Sequence, residues 1–155
     1  MITLRLNRYY GTPNITKSTL TIEDAKGNVL MECEARESGF ADYKRGEKHS
    51  GSTFLCLGTG EYDLLPANCE GNAICLRIYK DLARRGFYIM VGRDEQVQFM
   101  MKRLQLGRGT SAEPKYRLMT DFAKVREEFQ QVLYDNYVDE FRLVVSNEGI
   151  EAENE

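Results

Sequence analysis

The sequence predicts an α+β domain that is mainly β: a curled antiparallel sheet or small barrel with one C-terminal amphipathic helix and a final strand. Three observations lead there. Apolar and polar residues alternate over many short segments, one window near the C-terminus repeats at helical spacing, and no internal repeat or low-complexity stretch interrupts them. A chain of 155 residues removes roughly 68–70% of its unfolded surface from water, so the core needs no disulfide or metal support.

Ile2, Leu4 and Leu6 alternate with Thr3, Arg5 and Asn7, the period-2 signature of a half-buried strand reaching about Tyr10. Residues 18–22 place Leu20 and Ile22 on one face, and Asp24-Ala25-Lys26-Gly27-Asn28 supplies turn residues before a strand over 29–36, giving a hairpin. After a polar loop over 37–51, residues 53–57 and 62–65 read as short strands joined through Gly58-Thr59-Gly60. Residues 73–80 alternate Ile74, Leu76 and Ile78 with Cys75, Arg77 and Tyr79, and 87–91 is apolar throughout, as in a central strand. Residues 96–106 fit a helix through Val97, Met100, Met101 and Leu104, and over 101–106 a strand equally well. Phe122, Val125, Phe129, Val132 and Leu133 predict a helix to about Tyr134, with Thr120-Asp121 as its N-cap. Phe141, Leu143 and Val145 mark the last strand.

The domain is expected over 1–146, with 147–155 an acidic flexible tail. That tail carries Glu148, Glu151, Glu153 and Glu155 and no base, and without it 20 acids face 21 bases. The net charge of −3 therefore gives no bias toward nucleic acid. A local excess of +5 lies between Arg77 and Arg108, where eight bases meet Asp81, Asp94 and Glu95. No basic segment followed by an apolar one opens the sequence and no apolar run approaches a membrane span. A cytoplasmic protein, or a virion-associated one if phage-encoded, with no membrane partner, is the expectation.

Cys33, Cys56, Cys69 and Cys75 form no Cys-x-x-Cys pair and His49 is the single histidine, so no metal site is expected. The missing signal segment favours reduced thiols. His49 and Cys56 are the candidate thiol–imidazole pair, since a cysteine nucleophile needs a base to become thiolate at neutral pH. Against this, Cys56 shares a predicted strand face with Phe54, which favours a core role. Glu32 and Glu34 lie on one strand face as paired glycosidase acids can, but alternate with Met31, Cys33 and Ala35, which favours a solvated face. Gly58-Thr59-Gly60 precedes a strand and reads as a hairpin turn, and residues 106–111 lack a phosphate-loop ending and read as a surface loop. Arg84 and Arg85, flanked by Tyr79 and Tyr88, together with Lys102 and Arg103, are the anion-binding candidates. No cofactor is implied.

The order of elements resembles an uncharacterised domain family of tailed phages and Bacteroidota. Its opening hairpin is matched by Lys17-Ser18-Thr19-Leu20 with residues 24–29, and its Thr-x-x-x-x-Gly-x-Tyr turn, with slight alteration, by residues 53–62. Its apolar strand is matched by Gly86-Phe87-Tyr88-Ile89-Met90-Val91, and the stretch just after its Gly-Cys-Ile segment by Leu104-Gln105-Leu106-Gly107. The Ile-His-x-Gly-Asn and Gly-Cys-Ile segments of that family are similar to those of peptidoglycan L,D-transpeptidases. With Ile89 and Gly107 aligned, Gly92 stands at the histidine and Lys102-Arg103 at the Gly-Cys. This chain therefore lacks both reactive residues there. The leading expectation is a non-catalytic structural or interaction module of bacterial phage or mobile-element origin, engaging a protein partner or its own copy. The alternatives are a cysteine-dependent cell-wall enzyme using His49 and Cys56, and a polyanion or nucleic-acid binder.

Overall fold

The computed structural model describes residues 1–40, 56–68, 74–80, 86–91 and 103–153. β1 (Ile2–Gly11), β2 (Thr16–Glu23) and β3 (Val29–Glu37) form an antiparallel meander, with Leu6 opposite Leu20 and Leu20 opposite Cys33. Asp24 makes the β2–β3 turn, its carboxylate accepting from the backbone N–H groups of Lys26 and Asn28 at 2.9 Å each. This is the turn that the Asp-Ala-Lys-Gly-Asn sequence predicts.

The remaining strands are β4 (Gly60–Asn68), β5 (Ile74–Ile78), β6 (Tyr88–Met90), β7 (Arg103–Gly109), the two-residue β8 (Met119–Thr120), β9 (Phe141–Ser146) and the two-residue β10 (Glu151–Ala152). Around the sheet the order is β1-β2-β3-β7-β6-β5-β4-β9, and β9 pairs back onto β1, so eight strands close a barrel. Its β1–β9 and β6–β7 junctions are parallel and the others antiparallel. Of the two expected forms, curled antiparallel sheet or small barrel, the chain takes the barrel, with parallel pairing at these two junctions.

The period-2 faces explain the closure. Ala35 lies opposite Leu106, Ile89 opposite Leu104 and Leu76, Leu64 opposite Ile78, and Leu143 opposite Tyr62 and Leu4. These residues are buried together in one core, so the barrel is filled by side chains. β6 contributes only three residues, and α1 (Phe122–Asp135) packs against β7, β3 and β5. The Phe122 ring lies against Gly107 of β7, where a Cβ would come within 3.0 Å of it. At the other end of α1, Gln130 bonds both backbone groups of Ile74 on β5, its oxygen accepting from the Ile74 N–H at 2.9 Å. Phe129 and Leu133 complete the buried stripe.

Several local expectations change. Cys56 and Leu57 are not in a strand; the Cys56 N–H donates to the Gly39 carbonyl at 2.9 Å, which anchors them as a buried loop. Gly58 and Thr59 therefore lead into β4 rather than turning a hairpin. Residues 106–109, expected as a surface loop, belong to β7, with Gly107 paired to Glu34. Asp121 occupies the N-cap of α1 in the left-handed conformation and makes no capping bond with its side chain, which lies 3.5 Å from Arg108 instead. Cys75 is disulfide-bonded, contrary to four reduced thiols, whereas Cys33 and Cys56 remain thiols. The acidic terminal segment lies partly on the barrel: β10 pairs parallel with Tyr10 and Gly11, and the Glu153 N–H donates to the Gly11 carbonyl at 2.8 Å.

Candidate functional site

Ionisable side chains gather in two places on β1–β3, one inside the barrel and one outside. Inside, Arg8 and Glu37 face each other at one end. The guanidinium donates to Glu37 through Nε at 3.1 Å and Nη2 at 2.9 Å, to the Leu57 carbonyl at 2.6 Å and to Asn147 Oδ1 at 3.0 Å. Glu37 also accepts the Leu57 N–H at 3.2 Å. Burial works against the charge on Arg8, but Glu37, together with Cys56 and Tyr62, offsets it and holds the guanidinium above the usual arginine range. Ser18, opposite Arg8 in the register, is buried and its hydroxyl has no hydrogen-bond partner among the described residues.

Outside, residues 110–118 lie over the β1–β3 surface. Beneath them Tyr9 and Arg36 both donate to the Glu34 carboxylate, and Arg36 also donates to the Arg117 carbonyl at 2.8 Å. The Arg117 guanidinium stacks 4.8 Å from the centre of the Tyr9 ring. Lys17 donates to the carbonyls of Pro114, Lys115 and Arg117 at 2.9–3.0 Å, the ends of a 3-10 turn over Pro114–Tyr116. Burial, then the Glu34 hydrogen bond, pushes the Tyr9 phenol up to about 12. Burial also lowers Lys17, with Arg36 adding to the effect. The expected solvated face holds for Glu32, which is exposed. Glu34 departs from it because residues 110–118 cover it and Arg36 satisfies its charge.

Beside this cluster, where the β3–β7 ladder stops at Glu34 and Gly107, lies a cleft of about 280 Å³. Its walls include Glu32, Cys33, Glu34, Arg108, Arg117 and Glu128. Chemically it is a poor reaction chamber. Glu34 is committed to Tyr9 and Arg36, Arg108 lies between Asp121 and Glu128 at 3.5 and 3.9 Å, and burial with the nearby carboxylates of Glu34, Glu128 and Glu32 pushes the Cys33 thiol up to about 12. A thiol so placed stays protonated at neutral pH.

Cys56 is fully buried, beside Arg8. His49, Arg84, Arg85 and Lys102 lie outside the described residues, as do Met100 and Met101; Arg103 is half-buried at the start of β7. Of the thiol–imidazole and anion-binding candidates, only Cys56 and Arg103 have described positions. Among the described residues, no three of His, Cys, Asp and Glu gather as a metal site, and no helix is long and apolar enough to cross a membrane.

The feature that sequence reasoning missed is apolar. β1 and β9 begin and the β2–β3 hairpin turns at one end of the barrel, as Ile2 opposite Phe141, Thr3 opposite Glu23 and Glu23 opposite Val29 require. The Ile2 N–H donates to the Glu140 carbonyl at 2.7 Å, which holds the α1–β9 connection at the same end. There Tyr134, Tyr137 and Val138 are 73%, 63% and 94% exposed, and Met1, Val29 and Leu30 are exposed too. The signal was present: Tyr137-Val138 comes after the helical stripe yet precedes the final strand, so neither periodic face absorbs it.

No known family, curated protein or solved structure matches the chain. Fold and site together define a closed, mixed eight-stranded barrel with a helix packed against it, its buried charges paired inside and apolar side chains bared at one end.

Proposed function

We propose that the protein is a non-catalytic structural or interaction module of phage or mobile-element origin. The observation carrying this is the gathering of Met1, Val29, Leu30, Tyr134, Tyr137 and Val138, all exposed, at one end of the barrel. Large apolar side chains left exposed together at one end of a fold mark a place where another surface docks. The buried ionisable groups support the same reading, because Arg8, Glu37, Glu34, Arg36 and Lys17 are spent on holding strands and the 110–118 segment together. The phage or mobile-element part rests on the resemblance at residues 17–20, 53–62 and 86–91. Of the two expected locations, virion association is favoured by the disulfide at Cys75, since disulfides persist outside the reducing cytosol.

Photo-crosslinking from a benzoylphenylalanine at Val138, with Lys124 on the exposed side of α1 as control, tests the reading in cells that make the protein. A discrete adduct at Val138 that is absent at Lys124 supports an interaction module; equal or no adduct at both sinks it.

A further inference from the structure

The apolar end is rimmed by carboxylates. Asp135, Asp139 and Glu140 are exposed around Tyr137 and Val138 with no base between residues 134 and 140, and Asp24 sits at the hairpin turn. Lys26 is the one base of that turn, and the carboxylate of Glu23 is taken up by Arg5 at 2.7 Å. Among the described residues, four carboxylates thus stand against the Lys26 amine and the Met1 ammonium around six exposed apolar side chains. A two-fold contact with a second copy would set this excess negative charge against itself, which is costly where the surface between is dry. A partner bringing positive charge to the rim and apolar anchors to the middle gains on both counts.

We propose, resting on the interaction-module reading, that this end binds a basic protein segment whose apolar side chains seat between Tyr134, Tyr137 and Val138 while its lysines or arginines meet Asp135, Asp139 and Glu140. The carboxylates steer and select; the aromatic and apolar residues anchor.

Fluorescence anisotropy with a labelled peptide of repeating Leu-Lys-Lys-Leu, and with its Leu-Glu-Glu-Leu counterpart, tests this on the full chain. The basic peptide should bind, more weakly as salt rises, and the acidic one should not. The triple change Asp135→Asn, Asp139→Asn, Glu140→Gln should weaken binding at least about tenfold. A triple change of equal charge in the terminal segment, Glu148→Gln, Glu151→Gln, Glu155→Gln, should weaken it less than about twofold if contact is local. Tyr137→Ser with Val138→Ser should also cost about tenfold; both residues are exposed, and an unchanged thermal midpoint will show the fold intact.

Equal loss from the two charge triples means unspecific attraction and overturns the proposal. A dimer seen by light scattering, broken by the Tyr137→Ser, Val138→Ser pair, assigns the end to a second copy; that overturns the basic partner and leaves the interaction reading standing. If the serine pair changes neither peptide binding nor self-association, both fall.

Discussion

Arg8→Met isolates what the charge pair inside the barrel contributes. The substitution deletes four hydrogen bonds, two to Glu37 and one each to the Leu57 carbonyl and Asn147, and leaves Glu37 buried with the Leu57 N–H as its remaining side-chain partner among the described residues. Breaking a buried pair from one side costs about 3–5 kcal/mol. At about 2–4 °C per kcal/mol for a chain of this size, the thermal midpoint should fall by roughly 6–20 °C. Glu37→Leu should cost a similar amount. The double variant should cost only about 1–3 kcal/mol, because no charge is then left buried and the remaining penalty is the Leu57 backbone groups without partners. Urea unfolding followed by circular dichroism gives the three values, and an unchanged slope assigns the loss to the native state. The expected coupling is at least about 3 kcal/mol. Additive single and double values, or an Arg8→Met cost below about 1 kcal/mol, refute the placement of this pair in a dry barrel end.

The other expectations concern thiols, alkaline stability and one glycine. Iodoacetamide at neutral pH should label Cys33 and Cys56 slowly in the native protein, Cys33 because its thiol is pushed up to about 12 and Cys56 because it is buried; rapid labelling of either shows an activated thiolate. Alkylation of the unfolded, unreduced chain followed by peptide mass mapping should modify Cys33 and Cys56 but not Cys75, and Cys75 should be modified after reduction. Folding raises the Tyr9 phenol from its ordinary 10 to about 12, so its contribution is complete below pH 10 and is lost as pH rises to 12. Tyr9→Phe should flatten that part of the stability curve, and a curve unchanged in shape would contradict the Glu34 hydrogen bond. Gly39→Ala would put a Cβ 1.9 Å from the Pro13 carbonyl oxygen, so the variant should lose at least about 3 kcal/mol by the same urea assay.

The strands legible in the sequence are those whose two faces differ. Leu4, Leu6, Leu20, Ile22, Leu143 and Val145 point inward while Arg5, Asn7, Thr19 and Thr21 point out, and period 2 results directly. The stripe of α1 was as plain, because Phe122, Val125, Phe129 and Leu133 have one buried side to fill. The features that escaped depend on distant chain. Glu34 reads as a solvated position until residues 110–118 fold over it and over Lys17 and Arg36 beside it, about a hundred residues away for Lys17. Cys56 and Leu57 look like strand but are held by Gly39 and by Arg8 and Glu37. Nothing local in residues 106–111 tells that Gly107 must be small to admit the Phe122 ring.

The parallel seam between β1 and β9 fixes the order in which the barrel can be made. β1, β2 and β3 are neighbours in sequence and can pair as soon as they leave the ribosome. The other edge of β1 waits for Phe141, 139 positions after its partner Ile2. At about 5–20 residues per second, that edge stays open for roughly 7–28 s of synthesis. During that interval the row of unpaired amides from Ile2 to Asn7, backed by Leu4 and Leu6, is the stretch most open to pairing with another chain. Closure is thus a late and all-at-once event, and the bond from Arg8 to Asn147 just beyond the seam locks it only after the last barrel strand has arrived.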